Sequence, residues 1–199
     1  MKQYLMEMEE YALEKNVPII EKASIAFIMK YIRNNEIHNV LEIGSAIGYS
    51  AILMASCRPD VTVTTIERDE TRYMEALKNI KNCGLDKKIN VVYQDALEVN
   101  LSEEIKYDLI FIDAAKSQNI KYFEKFKFFL NANGTIITDN INFHGYVGNS
   151  NNMDNSNLKS MVSKIEEYIT FLNENKEFNT KFYDIGDGLA VSIRNNNEK

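Results

Sequence analysis

Acidic and amide side chains recur at or just beyond the ends of successive apolar segments of this sequence. They are Glu42, Glu67, Asp95, Asp113, Asp139 and Asn140. Any one of them is explained equally well by a turn or a helix cap, because Asp and Asn favour both. Six in succession favour a ligand site, since open α/β sheets bind ligands at the carboxyl ends of their parallel strands.

Glu67 and the loop before it predict the kind of ligand. Glu67 lies 25 residues after Glu42, near the spacing at which a dinucleotide-binding unit places a carboxylate on ribose hydroxyls. The stretch LEIGSAIGYS (41–50) has Gly44 and Gly48 but lacks the third glycine that lets a pyrophosphate approach, and Glu42 repels phosphate. We therefore expect a nucleoside with a neutral or cationic appendage, such as S-adenosylmethionine, with Glu42 facing its amino group and Asp95 its adenine.

The elements that position these side chains alternate between short apolar strands and amphipathic helices, which predicts a doubly wound parallel sheet. The apolar runs predict strands over 39–43, 61–66, 89–93, 107–112 and 135–138, followed by a pair over 178–184 and 189–193. Helical periodicity predicts helices over 2–15, 19–34, 46–57, 69–82, 117–130 and 158–174. The last two strands flank a Gly-Asp-Gly turn, so the sheet should end in an antiparallel strand. The polar run 149–157 predicts a loop.

Length and composition set limits on the class of protein. The 199 residues fit one domain, with N-terminal helices within 1–35 and a polar tail over 195–199. A formal net charge of −6 leaves a nucleic acid partner open, because a local basic patch can bind RNA. No signal peptide is evident, and no apolar run reaches the ~20 residues that span a bilayer. With Cys57 and Cys83 as free thiols, we expect a cytoplasmic protein and no membrane partner.

Several motifs, in order along the chain, resemble the metal-dependent class I O-methyltransferases related to catechol and caffeoyl-CoA O-methyltransferases. They are LEIGSAIGYSA, Glu67 after its strand, QDAL, IDAAK and TDN. The resemblance extends from Val17 to Ala190. Within the family, IGYSA, TTIERDE, FIDAAK and TDN-x-x-F-x-GYV are most similar to the bacterial tRNA 5-hydroxyuridine O-methyltransferases. The family resemblance implies a Rossmann-like fold, in which a mainly parallel seven-stranded sheet has an antiparallel terminal strand. It also implies that the protein is a homodimer.

The resemblance also implies a role for each motif residue. Asp113, Asp139 and Asn140 bind a divalent cation, with Mg²⁺ as the first choice, and their oxygen atoms are suitable ligands for it. Lys116 is the candidate base for the acceptor hydroxyl, and Asp113 borders both the metal and the methyl donor. Contacts to S-adenosylmethionine come from Ile20, Glu42, Gly44, Ser50, Glu67, Asp95, Ala96 and Asp113. The simpler alternatives are that Asp139 and Asn140 cap a loop and that Lys116 lies on the surface.

Other side chains have competing interpretations. Lys121, Lys125 and Lys127 form either a solvated helix face or a contact to RNA phosphate. His144 stands where the tRNA enzymes more often have arginine, which disfavours a phosphate-anchoring role and leaves packing within the loop as the alternative. His38 is expected to be structural. Five aromatic residues are predicted in the core rather than in a stacking platform: Phe128, Phe129, Phe171, Phe178 and Phe182.

The expected activity is methylation of 5-hydroxyuridine in the tRNA anticodon loop, which gives 5-methoxyuridine. The first alternative keeps the chemistry and changes the acceptor to a small catechol-like or caffeoyl-type molecule. A nicotinamide-dependent oxidoreductase is disfavoured because the third loop glycine is absent. A non-catalytic RNA-binding module remains the alternative without chemistry.

Overall fold

The computed structural model describes residues 1–142 and 156–195. Across these residues the chain forms one seven-stranded sheet in the order β3-β2-β1-β4-β5-β7-β6. The strands are β1 (Asn39–Ile43), β2 (Thr62–Glu67), β3 (Ile89–Tyr93), β4 (Tyr107–Ile112), β5 (Leu130–Asp139), β6 (Phe178–Tyr183) and β7 (Leu189–Arg194). The first five strands pair in parallel, while β7 runs antiparallel to both β5 and β6. The predicted fold class is confirmed.

Helices cover both faces of the sheet. They are α1 (Lys2–Lys15), α2 (Lys22–Asn34), α3 (Tyr49–Ala55), α4 (Glu70–Asn82), α5 (Asn119–Phe126) and α6 (Ser156–Glu174), and short 3₁₀ helices at Lys116–Gln118 and Lys127–Phe129 flank α5. On one face, Ile28 and Ile32 of α2 pack with Ile52 of α3. On the other face, Phe123 of α5 packs with Tyr168 of α6. Parallel strands need helices on both sides because apolar side chains project from both faces of the sheet.

Several helix and strand bounds differ from the predicted ones for local reasons. The α3 helix begins at Tyr49 rather than at residue 46, because Ala46 (φ 44°) and Gly48 (φ 83°) adopt left-handed backbone conformations that a helix cannot contain. The α2 helix begins at Lys22, since Glu21 before it is extended. The β5 strand is longer than predicted because Leu130 already pairs with Tyr107 across a register shift.

Some predictions fall wholly or partly outside the described residues. His144 lies outside them, as do 149–155 of the predicted loop and 196–199 of the predicted tail. Residues 156 and 157, which were also predicted in the loop, belong to α6. Within the described residues, no helix is long and apolar enough to cross a membrane. Cys57 and Cys83 are free, as predicted.

The predicted aromatic core is right in part. Phe178 is buried, and Phe129 and Phe171 pack against the core. Phe128 and Phe182, however, are 68% and 40% exposed. Phe128 projects from the short 3₁₀ helix after α5, and Phe182 lies on β6, which is an edge strand with a neighbour on one side only. Local aromatic composition did not distinguish these positions from core positions.

Candidate functional site

A cavity of about 390 Å³ opens at the carboxyl ends of the parallel strands, within the ~300–1,000 Å³ range of small-molecule sites. Nine of the predicted site residues line it: Ile20, Gly44, Ser50, Glu67, Ala96, Asp113, Lys116, Asp139 and Asn140. Glu42 and Asp95 are not in its wall. The sheet therefore brings together residues from the N-terminal segment, the glycine loop and its helix, and the ends of four strands.

The glycine loop closes tightly on the neighbouring strand. Gly44 has a φ of +97°, and a side chain added there would overlap the carbonyl oxygen of Asp113. The amide nitrogens of Gly44 and Ser45 donate to the carbonyl of Ile66 at 3.0 and 3.1 Å. The loop is thus bound to β2 and in contact with the chain just beyond β4, which leaves room for a backbone atom and none for a Cβ.

Glu67, the last residue of β2, is oriented by backbone donors. Its Oε2 accepts from the amide of Ala46 at 2.8 Å, and its Oε1 accepts from the amides of Arg68 and Asp69 at 2.9 Å. The side chain is buried yet lines the cavity. A carboxylate has about four lone-pair positions, and three backbone amides use three of them, so one remains for a ligand hydroxyl.

Glu42 lies beneath the loop rather than in the cavity wall. It is completely buried and pairs in register with Thr65, whose hydroxyl donates to its Oε2 at 2.6 Å. Burial raises the pKa of Glu42 to about 7, although the hydroxyls of Ser50 and Thr65 lower it in part. Glu42 therefore does not reach the cavity wall, and its hydrogen-bond partner Thr65 belongs to β2. The contact of Glu42 to a ligand amino group stays a prediction.

The burial of Glu42 predicts a pH-dependent stability. Its folded pKa of about 7 lies above the ordinary value of 4.5, so the stabilisation from its protonated form is complete below about pH 4.5 and is lost as pH rises through 7. We expect Glu42→Gln to raise the free energy of unfolding at pH 8 relative to wild type, by on the order of 2–3 kcal/mol. At pH 5 the difference should be smaller.

Urea unfolding at pH 5 and pH 8 measures this effect. Glu103→Gln is the matched control, because Glu103 is exposed and should leave both values unchanged. If Glu42→Gln instead destabilises the protein at pH 8, the buried carboxylate is charged and stabilised by its neighbours.

Two carboxylates and an amide converge at the other end of the cavity. The Asn140 Nδ2 lies 3.4 Å from Asp113 Oδ1, and the Lys116 Nζ lies 2.8 Å from the same oxygen. Asp139 is 2% exposed, and its pKa is raised to about 7, first by burial and then by the charge of Asp113. Within residues 1–142 and 156–195 no cluster of three His, Cys, Asp or Glu side chains forms, so the candidate metal ligands are two carboxylates and one amide.

Lys116 points into this group rather than away from it. Its side chain is only 14% exposed, and it begins the short 3₁₀ helix that follows β4. The alternative of a surface lysine does not fit this placement. Asn140 has a positive φ of 63°, a conformation that asparagine tolerates better than most residues.

Lys125 of α5 and Lys127 in the turn after it fit neither interpretation of the lysines. Lys125 donates to the carbonyls of Leu97 and Val99 at 2.8 and 2.7 Å, and Lys127 pairs with Glu124 and Glu177 at 3.0 and 2.6 Å. Neither belongs to a solvated face or offers a free charge to phosphate. Lys121 is exposed. His38 lies before β1, at the opposite edge of the sheet, with its Nδ1 2.8 Å from Asp60.

Lys125 is expected to matter for stability. Lys125→Met removes two charge-assisted hydrogen bonds and leaves the Leu97 and Val99 carbonyls without that donor, which should cost about 1–3 kcal/mol of unfolding free energy. Lys121→Met, on the same helix, is the control and should change it by less than about 0.5 kcal/mol. Equal effects in thermal or urea unfolding would show that the Lys125 bonds do not stabilise the 97–99 segment.

Residues that the sequence did not single out also line the cavity. They are Glu21, Tyr49, Arg68, Arg72, Gln94 and Tyr122. Arg68 directly follows Glu67, and that adjacency is the one signal that could have identified it. Tyr122 comes from the buried face of α5, where an aromatic residue looks like core in the sequence.

Proteins described as methyltransferases are similar to this chain in sequence. A sequence profile described as O-methyltransferase matches residues 1–195. Tapetum-specific methyltransferase 1 of Arabidopsis thaliana is 28% identical over 91% of this chain and 78% of its own length. Caffeoyl-CoA O-methyltransferase of Populus kitakamiensis is 27% identical over 90% of this chain and 78% of its own length.

Solved structures agree with this result. A candidate caffeoyl-CoA O-methyltransferase from Staphylococcus aureus is 37% identical, superposes with a TM-score of 0.90 and covers 96% of this chain and 92% of its own. The Bacillus cereus O-methyltransferase in complex with SAH is 23% identical, with a TM-score of 0.83 and coverage of 97% and 91%. The second match bears on the fold alone.

Proposed function

The chain belongs to the O-methyltransferase family, and on that premise we propose that it transfers a methyl group from S-adenosylmethionine to an acceptor hydroxyl, with a divalent cation, Mg²⁺, bound beside it. One observation carries the proposal. A single cavity has the oriented carboxylate of Glu67 in its wall and the oxygen donors Asp113, Asp139 and Asn140 in the same wall. A nucleoside methyl donor and a chelated acceptor need these two sets of groups side by side.

The cavity fits S-adenosylmethionine by its chemistry. Glu67 is held by three backbone amides and has one lone-pair position left to accept a hydrogen bond from a ribose hydroxyl. Gly44 keeps the loop free of a Cβ against the chain beyond β4, which gives a ligand access to backbone atoms. Ile20, Ser50 and Ala96 complete the proposed contacts. Glu42 and Asp95 act from outside the wall.

The proposed metal ligands also fit a hard cation. Asp113 and Asp139 repel one another, and Asp139 is buried with a raised pKa, so added positive charge would relieve an unfavourable arrangement. Carboxylate and amide oxygens are the ligands that Mg²⁺ prefers. Bound there, the cation supplies charge that stabilises the ionised form of an acceptor hydroxyl.

Residues of this chain remove the proton from the acceptor hydroxyl and position the acceptor for methyl transfer. Lys116 is the proposed acceptor of the hydroxyl proton at Nζ, and its hydrogen bond to Asp113 at 2.8 Å holds that nitrogen in place. The acceptor oxygen forms a bond to the methyl carbon as the carbon–sulfur bond breaks, and the electron pair remains on sulfur. Positioning and charge stabilisation supply most of the rate. Lys116→Met should lower kcat, and Lys116→Arg should not restore it.

For the acceptor we propose 5-hydroxyuridine in the anticodon loop of tRNA, which makes tRNA the partner and 5-methoxyuridine the product. The 5-hydroxyl and the neighbouring carbonyl oxygen form a pair that one cation can chelate. The motifs IGYSA, TTIERDE and FIDAAK support this acceptor by resemblance. A cytoplasmic homodimer is part of the same proposal.

A small catechol-like or caffeoyl-type acceptor is the second candidate. It has the same pair of neighbouring oxygens, and the relatives from Populus kitakamiensis and Staphylococcus aureus carry caffeoyl-CoA names. The two candidates therefore differ in the body of the acceptor and not in the chemistry at the metal.

Mass spectrometry of tRNA nucleosides from a strain that lacks the gene tests the acceptor. We expect 5-hydroxyuridine to accumulate, and the intact gene but not Asp113→Ala to restore 5-methoxyuridine. With purified protein, labelled methyl should pass to tRNA that contains hydroxyuridine. Label on catechol or caffeoyl-CoA alone would reject the tRNA proposal.

Cofactor binding is tested separately. SAH is the probe, because a Bacillus cereus protein of the same fold was solved with it, and it should raise the melting temperature of this protein. If SAH has no effect and NADH does, the nicotinamide alternative replaces the proposal. Restoration of 5-methoxyuridine by Asp113→Ala would favour the non-catalytic RNA-binding module.

A further inference from the structure

An ion pair lies on the rim of the cavity between the ends of β2 and β3. Arg68 follows the last residue of β2 and lines the cavity, with its side chain 67% exposed. Its Nη1 lies 3.1 Å from Oδ2 of Asp95, which stands two residues beyond β3. Asp95 itself does not line the cavity. The carboxylate is therefore behind the guanidinium, and the guanidinium faces the space.

Asp95 is anchored independently of Arg68. Its Oδ1 accepts from the backbone amide of Leu97 at 2.8 Å. That hydrogen bond, and then the Arg68 charge, hold the pKa of Asp95 below its usual value. Because the backbone fixes the carboxylate while the arginine is a long exposed side chain, Asp95 sets the position of the guanidinium.

The placement of Arg68 is informative because its neighbour is Glu67. Glu67 and Arg68 line the same cavity, so the base of a ribose bound to Glu67 is within reach of the Arg68 side chain. Ala96 and Tyr122 are in the wall of the same cavity. An exposed ion pair contributes little to folding stability, whereas a planar guanidinium stacks well on an aromatic ring.

We propose that the Arg68 guanidinium lies against the purine face of the methyl donor and that Asp95 is the residue that positions it. The inference rests on the proposed function, since it needs an adenosine-containing ligand in the cavity. It assigns to Asp95 an indirect part in adenine recognition instead of a direct contact. Arg68 is thereby a determinant of cofactor affinity that lies away from the reacting atoms.

Calorimetric titration of SAH and of adenosine tests this inference. Arg68→Ala should weaken the binding of SAH about fivefold and the binding of adenosine by the same factor, because the lost contact is to the base. Arg68→Lys keeps the positive charge but lacks the planar guanidinium, and its affinities for SAH and adenosine should match those of Arg68→Ala. Asp95→Asn should weaken SAH binding about two- to threefold. In the Arg68→Ala background it should cause no further loss of affinity, since the effects of substitutions at coupled residues are not additive. In turnover assays, KM for S-adenosylmethionine should rise with kcat unchanged.

Arg58→Ala is the matched control. It removes another arginine–aspartate pair, with Asp60, and should leave both affinities unchanged. The inference is overturned if Arg68→Ala binds SAH as tightly as wild type does, or if its affinity for SAH falls while its affinity for adenosine does not. A change in the KM for tRNA alone would also overturn it. If wild type binds neither ligand, the proposed function fails together with the inference, and that result is recognisable because it does not depend on any variant.

Discussion

Asp139→Asn is expected to lower kcat about 10²- to 10³-fold, because charge stabilisation by a positioned cation is worth several kcal/mol and the substitution removes one of the two carboxylates that we propose as its ligands. Asp139 is the last residue of β5 and is 2% exposed, so water cannot easily replace the lost ligand. Initial rates at saturating S-adenosylmethionine, measured over a range of Mg²⁺ concentrations, should show a raised metal requirement.

A second readout separates loss of metal from loss of fold. In the metal-free protein Asp139 faces the like charge of Asp113, so its neutral replacement should leave the melting temperature unchanged or higher. Asp86→Asn is the control, because Asp86 is exposed and should alter neither activity nor stability. An inactive Asp139→Asn protein with a markedly lower melting temperature would contradict the metal assignment, as would a fully active one.

The strand-end pattern predicted the site because parallel strands end at one edge of a sheet. That geometric fact needs only the order of elements, and the alternation of apolar runs with helices provided it. It brought Glu67, Asp113 and Asp139 into one cavity. The seven-stranded sheet with its antiparallel terminal strand followed from the same alternation and from the hairpin turn.

Side-chain direction limited the prediction at Glu42. Successive side chains of a strand point to opposite faces, and Glu42 lies one residue before the end of β1. It shares the face of Val40, which packs with the α2 and α3 residues, and so it points into the core and away from the open edge. Glu67 ends its own strand and reaches the cavity. Glu42 pairs with Thr65, two residues before Glu67, so Glu67 lies closer to the open edge of the sheet. Strand ends are not sharply defined in a sequence, which hides this difference.

Backbone conformation set a second limit. Ala46 and Asn140 have positive φ angles without being glycine, and nothing in their local sequence requires this. The hydrogen bond from the Ala46 amide to Glu67 imposes the first conformation, and the contact of the Asn140 side chain with Asp113 accompanies the second. Both contacts join segments more than 20 residues apart, so they arise only when the sheet has formed. The carbonyl contacts of Lys125 were unpredictable for the same reason.

Gly44→Ala is expected to disable both the site and the fold around it. The residue has a φ of +97°, and an added Cβ would overlap the Asp113 carbonyl, which is backbone and cannot rotate away. Backbone strain of this kind costs about 1–3 kcal/mol, and the overlap adds to it, so we expect a loss of about 3 kcal/mol or more in unfolding free energy. Displacement of Asp113 should weaken SAH binding at least tenfold in titration calorimetry, by roughly 1.4 kcal/mol.

Gly84→Ala isolates the steric part of this effect. Gly84 also has a positive φ, +68°, but no atom of the residues that the structure describes lies within 4 Å of an added Cβ there. Its substitution should therefore cost only the strain, about 1–2 kcal/mol, and leave SAH affinity at the wild-type value. Similar losses at the two positions would mean that conformation alone makes Gly44 necessary. A larger loss at Gly44, together with weaker SAH binding, would show that the glycine is needed because the loop contacts the chain just beyond β4.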